Sequence, residues 1–217
     1  MITLDTINEI DIPIHNRIHK GILGVPENAT GIVLFAHGSG SSRLSPRNNF
    51  VAEVIREGDV ATLLFDLLTE EEDRNYDNRF DIALLTQRLT EVTQWLETQE
   101  QLKDLKIGYF GASTGAAAAL KGAAALGSSR VKAVVSRGGR PDLAGPDLSR
   151  VASPVLLIVG GFDDVVIGLN EQAFAAMDKA EIKDLKIVPG ATHLFEEPGT
   201  LEQAAGLAKN WFVQYLD

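Results

Sequence analysis

Residues 107–121 read "IGYFGASTGAAAALK". An apolar run halts at Gly111. Ala112, Ser113 and Thr114 follow, and then Gly115 opens an alanine-rich stretch that favours helix. Gly111 to Gly115 match G-x-S-x-G, in which a serine sits on a sharp turn between a buried strand and a helix. Side chains two residues before and two after the serine would collide across that turn, so glycine is required at both places. The turn strains the serine backbone and lifts its oxygen clear of the sheet. The start of the helix puts N–H groups and the positive dipole end behind it. The bland reading is a strand–loop–helix turn that happens to hold a serine, so the pattern needs partners elsewhere in the chain.

Working outward, "GIVLFAHG" (31–38), "VATLLFD" (60–66), "VKAVVS" (131–136), "PVLLIVGG" (154–161) and "LKIVPG" (185–190) are also apolar runs closed by polar or turn residues. The first two read as buried strands, as in a sheet covered on both faces, and the other three as strands. Helical spacing appears after Pro46 (Phe50, Val51, Val54, Ile55, ending at Gly58), from Ile82 through Leu96 to Gln99, over 114–126, over 170–180 and over 200–216. Residues 6–24 alternate loosely and contain Pro13, as an antiparallel hairpin at a sheet edge does. Residues 67–79, rich in acids, read as a solvated loop, and 137–147 as a Gly/Pro-rich loop. Strands alternating with helices imply an α/β chain with a mostly parallel sheet covered on both faces, and a single domain over 1–217.

Bulk composition narrows the function. Twenty Lys+Arg against 30 Asp+Glu give a net charge of −10, which disfavours nucleic acid and anionic membranes as partners. There is no cysteine, which removes disulfides, thiolate metal sites and a cysteine nucleophile together. The N-terminus "MITLDTINEIDI" carries acids where a secretory signal needs positive charge, and no apolar run approaches a membrane span. A cytoplasmic protein is the expectation.

A serine hydroxyl needs a base. Of four histidines, His15 and His19 belong to the hairpin and read as solvated surface residues. His37 follows a strand and reads as a residue that fixes its loop. His193 lies in the loop after the last strand, late in the chain, which suits the order Ser…Asp…His. In an open parallel sheet, functional groups gather at the carboxyl ends of strands. Asp163, with Asp164 as the alternative, follows the strand "PVLLIVGG" and would hold the imidazole in one tautomer. Taken alone, Asp163 is as well explained as a helix cap. For the oxyanion, the N–H groups of Thr114 and Ser39 are the expected donors. Arg43 and Arg47 near that loop, and Arg137 and Arg140 after "VKAVVS", stand where a substrate carboxylate could be bound. Pairing with nearby acids such as Asp142 and Asp147 is the plainer reading, preferred for Arg140 and left open for Arg137.

The strings "HGSGSS", "GASTG", "GGFDD" and "GATH" resemble the α/β-hydrolase superfamily over nearly the whole chain, and within it the dienelactone hydrolase-like family. The resemblance implies an α/β-hydrolase fold with no cap domain. It implies a Ser113–His193–Asp163 triad that cleaves carboxylic esters or lactones of small to medium size through an acyl-enzyme, without metal or organic cofactor. Dienelactone hydrolases use a cysteine nucleophile. Here Ser113 stands in its place, which points away from dienelactone and toward serine esterase chemistry. "HGSGSSRLSPRN" and "SRGGRPDLA" are also similar to hydrolase domains sometimes fused to phosphoribosyltransferases. Thioester, amide or C–C hydrolysis on the same triad, and a non-catalytic binding module, remain the alternatives. A small-molecule ester is the expected partner, and the protein is expected to be a monomer or homodimer with a shallow, open site.

Overall fold

Strands β3 (Gly31–Ala36) and β5 (Lys106–Ala112) lie parallel near the middle of an eight-stranded sheet, paired from Gly31 against Lys106 to Ala36 against Gly111. The structure is a computed structural model that describes residues 5–217. Successive side chains point to opposite faces of a strand. Ile32, Leu34 and Ala36 therefore enter one core, and Val33 and Phe35 the other. Helices cover both faces, which is why these strands read as unbroken apolar runs.

Strands β1 (Ile7–Ile14) and β2 (Arg17–Gly24) form the antiparallel hairpin at one edge, and β2 pairs antiparallel with β4 (Val60–Phe65). The remaining neighbours, β4–β3–β5 and then β6 (Val131–Arg137), β7 (Val155–Gly160) and β8 (Lys183–Val188), are parallel. The sheet order is β1-β2-β4-β3-β5-β6-β7-β8. Helices α1 (Pro46–Arg56) and α6 (Thr200–Leu216) pack on one face through Val51, Ile55, Ala205 and Phe212. Helices α3 (Ile82–Leu96) and α4 (Thr114–Leu126) cover the other through Leu89, Val92, Ala117 and Leu120. Parallel crossovers bring the loops after β3, β5, β6, β7 and β8 to one rim of the sheet.

Four local expectations change. Helix α5 (Asp164–Ala176) starts six residues before the expected 170, directly after β7. Its first turn holds the β-branched Val165, Val166 and Ile167, which mimic a strand. The acidic stretch is not simply a solvated loop. It forms a one-turn helix α2 (Glu70–Asp73) closed by a Thr69/Glu72 capping box, then a 3₁₀ turn over Tyr76–Phe80. Glu72 lies 2.7 Å from the buried Arg88, whose other side meets Glu91 at 2.8 Å. Burial pushes the Glu72 carboxyl up, but the Thr69 N–H and Arg88 outweigh it and hold it below the usual carboxylate range. Residues Pro141–Arg150 form a kinked 3₁₀ segment where an irregular loop was expected, with no helical lid between β6 and β7. His19 is buried, not solvated, because β2 turns it toward the backbone after β4, where its Nδ1–H donates to the Asp66 carbonyl at 2.8 Å. His15 is exposed, its Nε2 3.2 Å from Glu91.

No helix among the described residues is long and apolar enough to cross a membrane. The first four residues of the acidic N-terminal stretch lie outside the described residues.

Candidate active site

Ser113 stands alone between β5 and α4 with φ 52° and ψ −123°, a left-handed backbone for a residue with a side chain. Two glycines make the turn possible. A Cβ on Gly115 would lie 2.0 Å from the Ala36 carbonyl oxygen, and one on Gly111 2.4 Å from the Ala116 Cα. Backbone hydrogen bonds fix the turn: the Ser113 N–H donates to the Arg137 carbonyl at 3.4 Å, and the Ser113 carbonyl accepts from Arg140 at 3.0 Å. The Ser113 side chain makes no cap bond to α4. It lines a cavity of about 220 Å³ together with Gly38, Ser41, Arg137 and His193.

Asp163 occupies the N-cap position of α5, yet its side chain makes no cap bond. Its Oδ2 accepts instead from His193 Nδ1 at 2.7 Å, across 30 residues of sequence. A carboxylate only accepts, so the imidazole proton is on Nδ1 and the Nε2 lone pair is left to accept a proton. Asp164, the alternative, is the exposed first residue of the helix. The loops carrying the pair are stitched together: Gly161 N–H donates to the Val188 carbonyl at 2.8 Å and Phe162 N–H to the Ala191 carbonyl at 2.9 Å. Glu197 braces the histidine loop by accepting from Thr192 N–H at 3.0 Å and from Thr192 Oγ1 at 2.7 Å. No hydrogen bond joins Ser113 Oγ to His193 among the described residues, although both side chains face the same cavity. Such contacts often tighten only when substrate binds.

The expected oxyanion donors fare differently. Thr114 follows Ser113 at the first position of α4. The Ser39 N–H is engaged, donating to Thr114 Oγ1 at 2.9 Å, so it is not a free donor unless that hydroxyl turns away. His37 fixes this loop. Its Nε2 accepts from Leu67 N–H at 3.1 Å, which leaves Nδ1–H to donate to the Gly38 carbonyl at 3.0 Å. Burial lowers its pKa below the usual histidine value, in keeping with a neutral ring.

The arginines separate cleanly. Arg43 does not line the cavity of Ser113. Its guanidinium is 2.5 Å from Asp66 Oδ2, and it borders a neighbouring cleft of about 650 Å³ that meets the first at Ser41. Loop geometry after β3 turns it toward the end of β4, away from the serine. Arg140 pairs with Asp142 at 2.8 Å. Arg137 does line the cavity and has no carboxylate partner among the described residues. Its Nη2 donates to Asn48 Oδ1 at 3.3 Å, and its guanidinium carbon lies 5.8 Å from the ring centres of both Phe110 and Phe195. Burial first, and Arg47 beside it, bring the guanidinium down to about 10, so it stays charged at neutral pH. Asn48 was not legible as a site residue, because it sits on α1 among positions read only for their apolar spacing.

The model of the dienelactone hydrolase family matches residues 20–216. A crystal structure of a dienelactone hydrolase from Anabaena variabilis superposes with a TM-score of 0.93 at 52% identity, over 98% of this chain and 99% of that one. Two Mycobacterium tuberculosis proteins provisionally named phosphoribosyl transferases are 61% identical over 197 residues, which are 90% of this chain but 44% of theirs. The chain therefore spans less than half the length of those curated relatives. Est1E from Butyrivibrio proteoclasticus shares the fold, with a TM-score of 0.78 at 15% identity over 95% of this chain and 98% of that one.

Proposed function

Since the chain belongs to the dienelactone hydrolase family and has the α/β-hydrolase fold of its relatives, we propose that it cleaves carboxylic esters or lactones of small to medium size with a serine nucleophile. The observation that carries this reading is the 2.7 Å His193–Asp163 hydrogen bond on the rim of the cavity that holds the strained Ser113. Ser113 Oγ attacks the ester carbonyl while His193 Nε2 takes its proton. Asp163 stabilises the imidazolium. The Thr114 N–H and the N-terminal end of α4 hold the tetrahedral oxyanion, joined by the Ser39 N–H once the Thr114 hydroxyl releases it. His193 then protonates the departing alcohol. Water repeats the cycle on the acyl-enzyme and returns Ser113 to its starting state.

The cavity of about 220 Å³ is small for a drug-sized ligand, which supports a compact acyl group. The name carried by the Mycobacterium relatives belongs to chains of which this one covers 44%. The test is a panel of 4-nitrophenyl esters, lactones and acyl thioesters. Hydrolysis of the short esters by the wild type, lost in Ser113→Ala with the fold kept, supports the proposal. Preference for thioesters would reassign the substrate on the same residues. Equal activity in both proteins would remove the mechanism.

A further inference from the structure

Strand β8 closes one edge of the sheet, and no strand lies beyond it among the described residues. The carbonyls of Ile182 and Val188 accept from the N–H groups of Val155 and Gly161, so the even-numbered residues of β8 turn their backbone toward β7. Lys183, Leu185 and Ile187 therefore present theirs to the outside. The Leu185 N–H shows the result: it donates to Asp184 Oδ1 of its own strand, at 2.8 Å. A row of outward-facing donors and acceptors is a template for another strand.

The two edges of the sheet differ in charge. β1, at the far edge, carries Glu9, Asp11 and Pro13 and no lysine or arginine. A second copy laid antiparallel on its middle sets acid against acid, and proline has no N–H to give. β8 reads "KDLKIV" and carries both signs. Asp184 and Lys186 lie on one face, 2.7 Å apart, and both reach solvent. On the other face Lys183 donates to the Phe174 and Met177 carbonyls at the end of α5, and Leu185 packs on the core beside that helix. Ile182 and Ile187, one on each face, are 47% and 40% exposed.

These charges choose a register. Outward amides must meet outward carbonyls, so in an antiparallel pairing of β8 with a second β8 odd-numbered residues face odd-numbered ones. Centred on Leu185, the pairing sets Asp184 opposite Lys186 of the second copy, and Lys186 opposite its Asp184. Centred one residue to either side, it sets carboxylate against carboxylate at Asp184, or ammonium against ammonium at Lys186. The register that charge favours also lines up Leu185 and Ile187 of both copies on the α5 face. A net charge of −10 opposes association of two copies, so a contact between them needs opposite signs where they meet.

We propose that two copies of the chain associate through β8, antiparallel about a two-fold axis at Leu185, so that their sheets continue as one. In the pair, the Leu185 carbonyl of each copy takes the N–H that Asp184 now accepts, and each Asp184 carboxylate turns to Lys186 across the axis.

Sedimentation velocity from about 1 to 100 µM tests it, with circular dichroism to confirm folding. The wild type should be a dimer at the upper end. Lys186→Asp and Asp184→Lys should each weaken it by about tenfold or more in Kd, because like charges then meet twice across the axis. The exchange Asp184→Lys with Lys186→Asp restores opposite signs and should bring Kd back to within about threefold of the wild type. Ile187→Pro removes an outward N–H without taking a bond from β7 and should leave a monomer. If that variant does not fold, the charge variants still decide. A wild type that stays monomeric at 100 µM overturns the proposal. So does a dimer indifferent to the single charge changes, or one that they break and the exchange does not restore.

Discussion

His193 Nδ1 donates to Asp163 Oδ2 at 2.7 Å, which adds a side-chain contact to the backbone hydrogen bonds that join the loops after β7 and β8 at the rim of the sheet. An amide in place of the carboxylate keeps the shape but offers a donor, which favours the opposite imidazole tautomer. Asp163→Asn should therefore fold normally and lose about 10⁴ in kcat on 4-nitrophenyl acetate. Activity within tenfold of the wild type would show that this contact does not orient a catalytic base.

Ser113 is held at φ 52°, a conformation that glycine adopts without penalty. Relief of the strain, less the extra freedom glycine gains in the unfolded chain, should leave Ser113→Gly more stable by about 1 kcal/mol. In a chain of this size that raises Tm by roughly 2–4 °C, read by calorimetry, while activity vanishes. A lower Tm would mean that the turn carries no strain at this residue.

Two glycines should respond in opposite ways to alanine. A Cβ at Gly115 would lie 2.0 Å from the Ala36 carbonyl oxygen and 2.6 Å from that of His37, both backbone atoms of the strand end beside the elbow. Gly115→Ala should cost about 3 kcal/mol or more. Gly206, inside α6, meets nothing within 4 Å, and alanine there should gain about 0.5–1 kcal/mol in denaturant titration. Comparable losses at both sites would contradict the close packing of α4 on β3.

His37 makes stability depend on pH. Burial lowers its pKa in the fold, so between that value and the ordinary value near 6.5 the unfolded chain binds more protons than the folded one. Stability is then fully present above about 6.5 and falls as pH drops toward the folded pKa. Protonation would also take the Nε2 lone pair from the Leu67 N–H. Chemical denaturation between pH 7.5 and 5 should show this decline in the wild type and a shallower one in His37→Gln. Identical slopes would place the titration elsewhere.

The sheet was legible because burial on both faces writes each central strand as an unbroken apolar run, as "IVLFA" and "LLIVG" do. The turn at Ser113 was legible because the two glycines that flank it mark positions where a Cβ would collide with neighbouring backbone. Sequence order also placed Asp163 and His193 at strand ends. What each side chain touches was not written locally. Ser39 spends its N–H on Thr114 across 75 residues, and Arg137 meets Asn48 across 89. His19 looked solvated because the group that buries it is the backbone of Asp66, 47 residues away. Nothing in the acids at 70–73 announced that Glu72 would face a buried arginine on another helix.

The most direct measurement is covalent labelling with a fluorophosphonate, followed by intact mass and peptide mapping. One adduct per chain is expected, on Ser113, absent from Ser113→Ala and formed at least about 10²-fold more slowly in His193→Gln. An adduct on another residue, or none after prolonged exposure of the folded protein, would contradict Ser113 as the nucleophile.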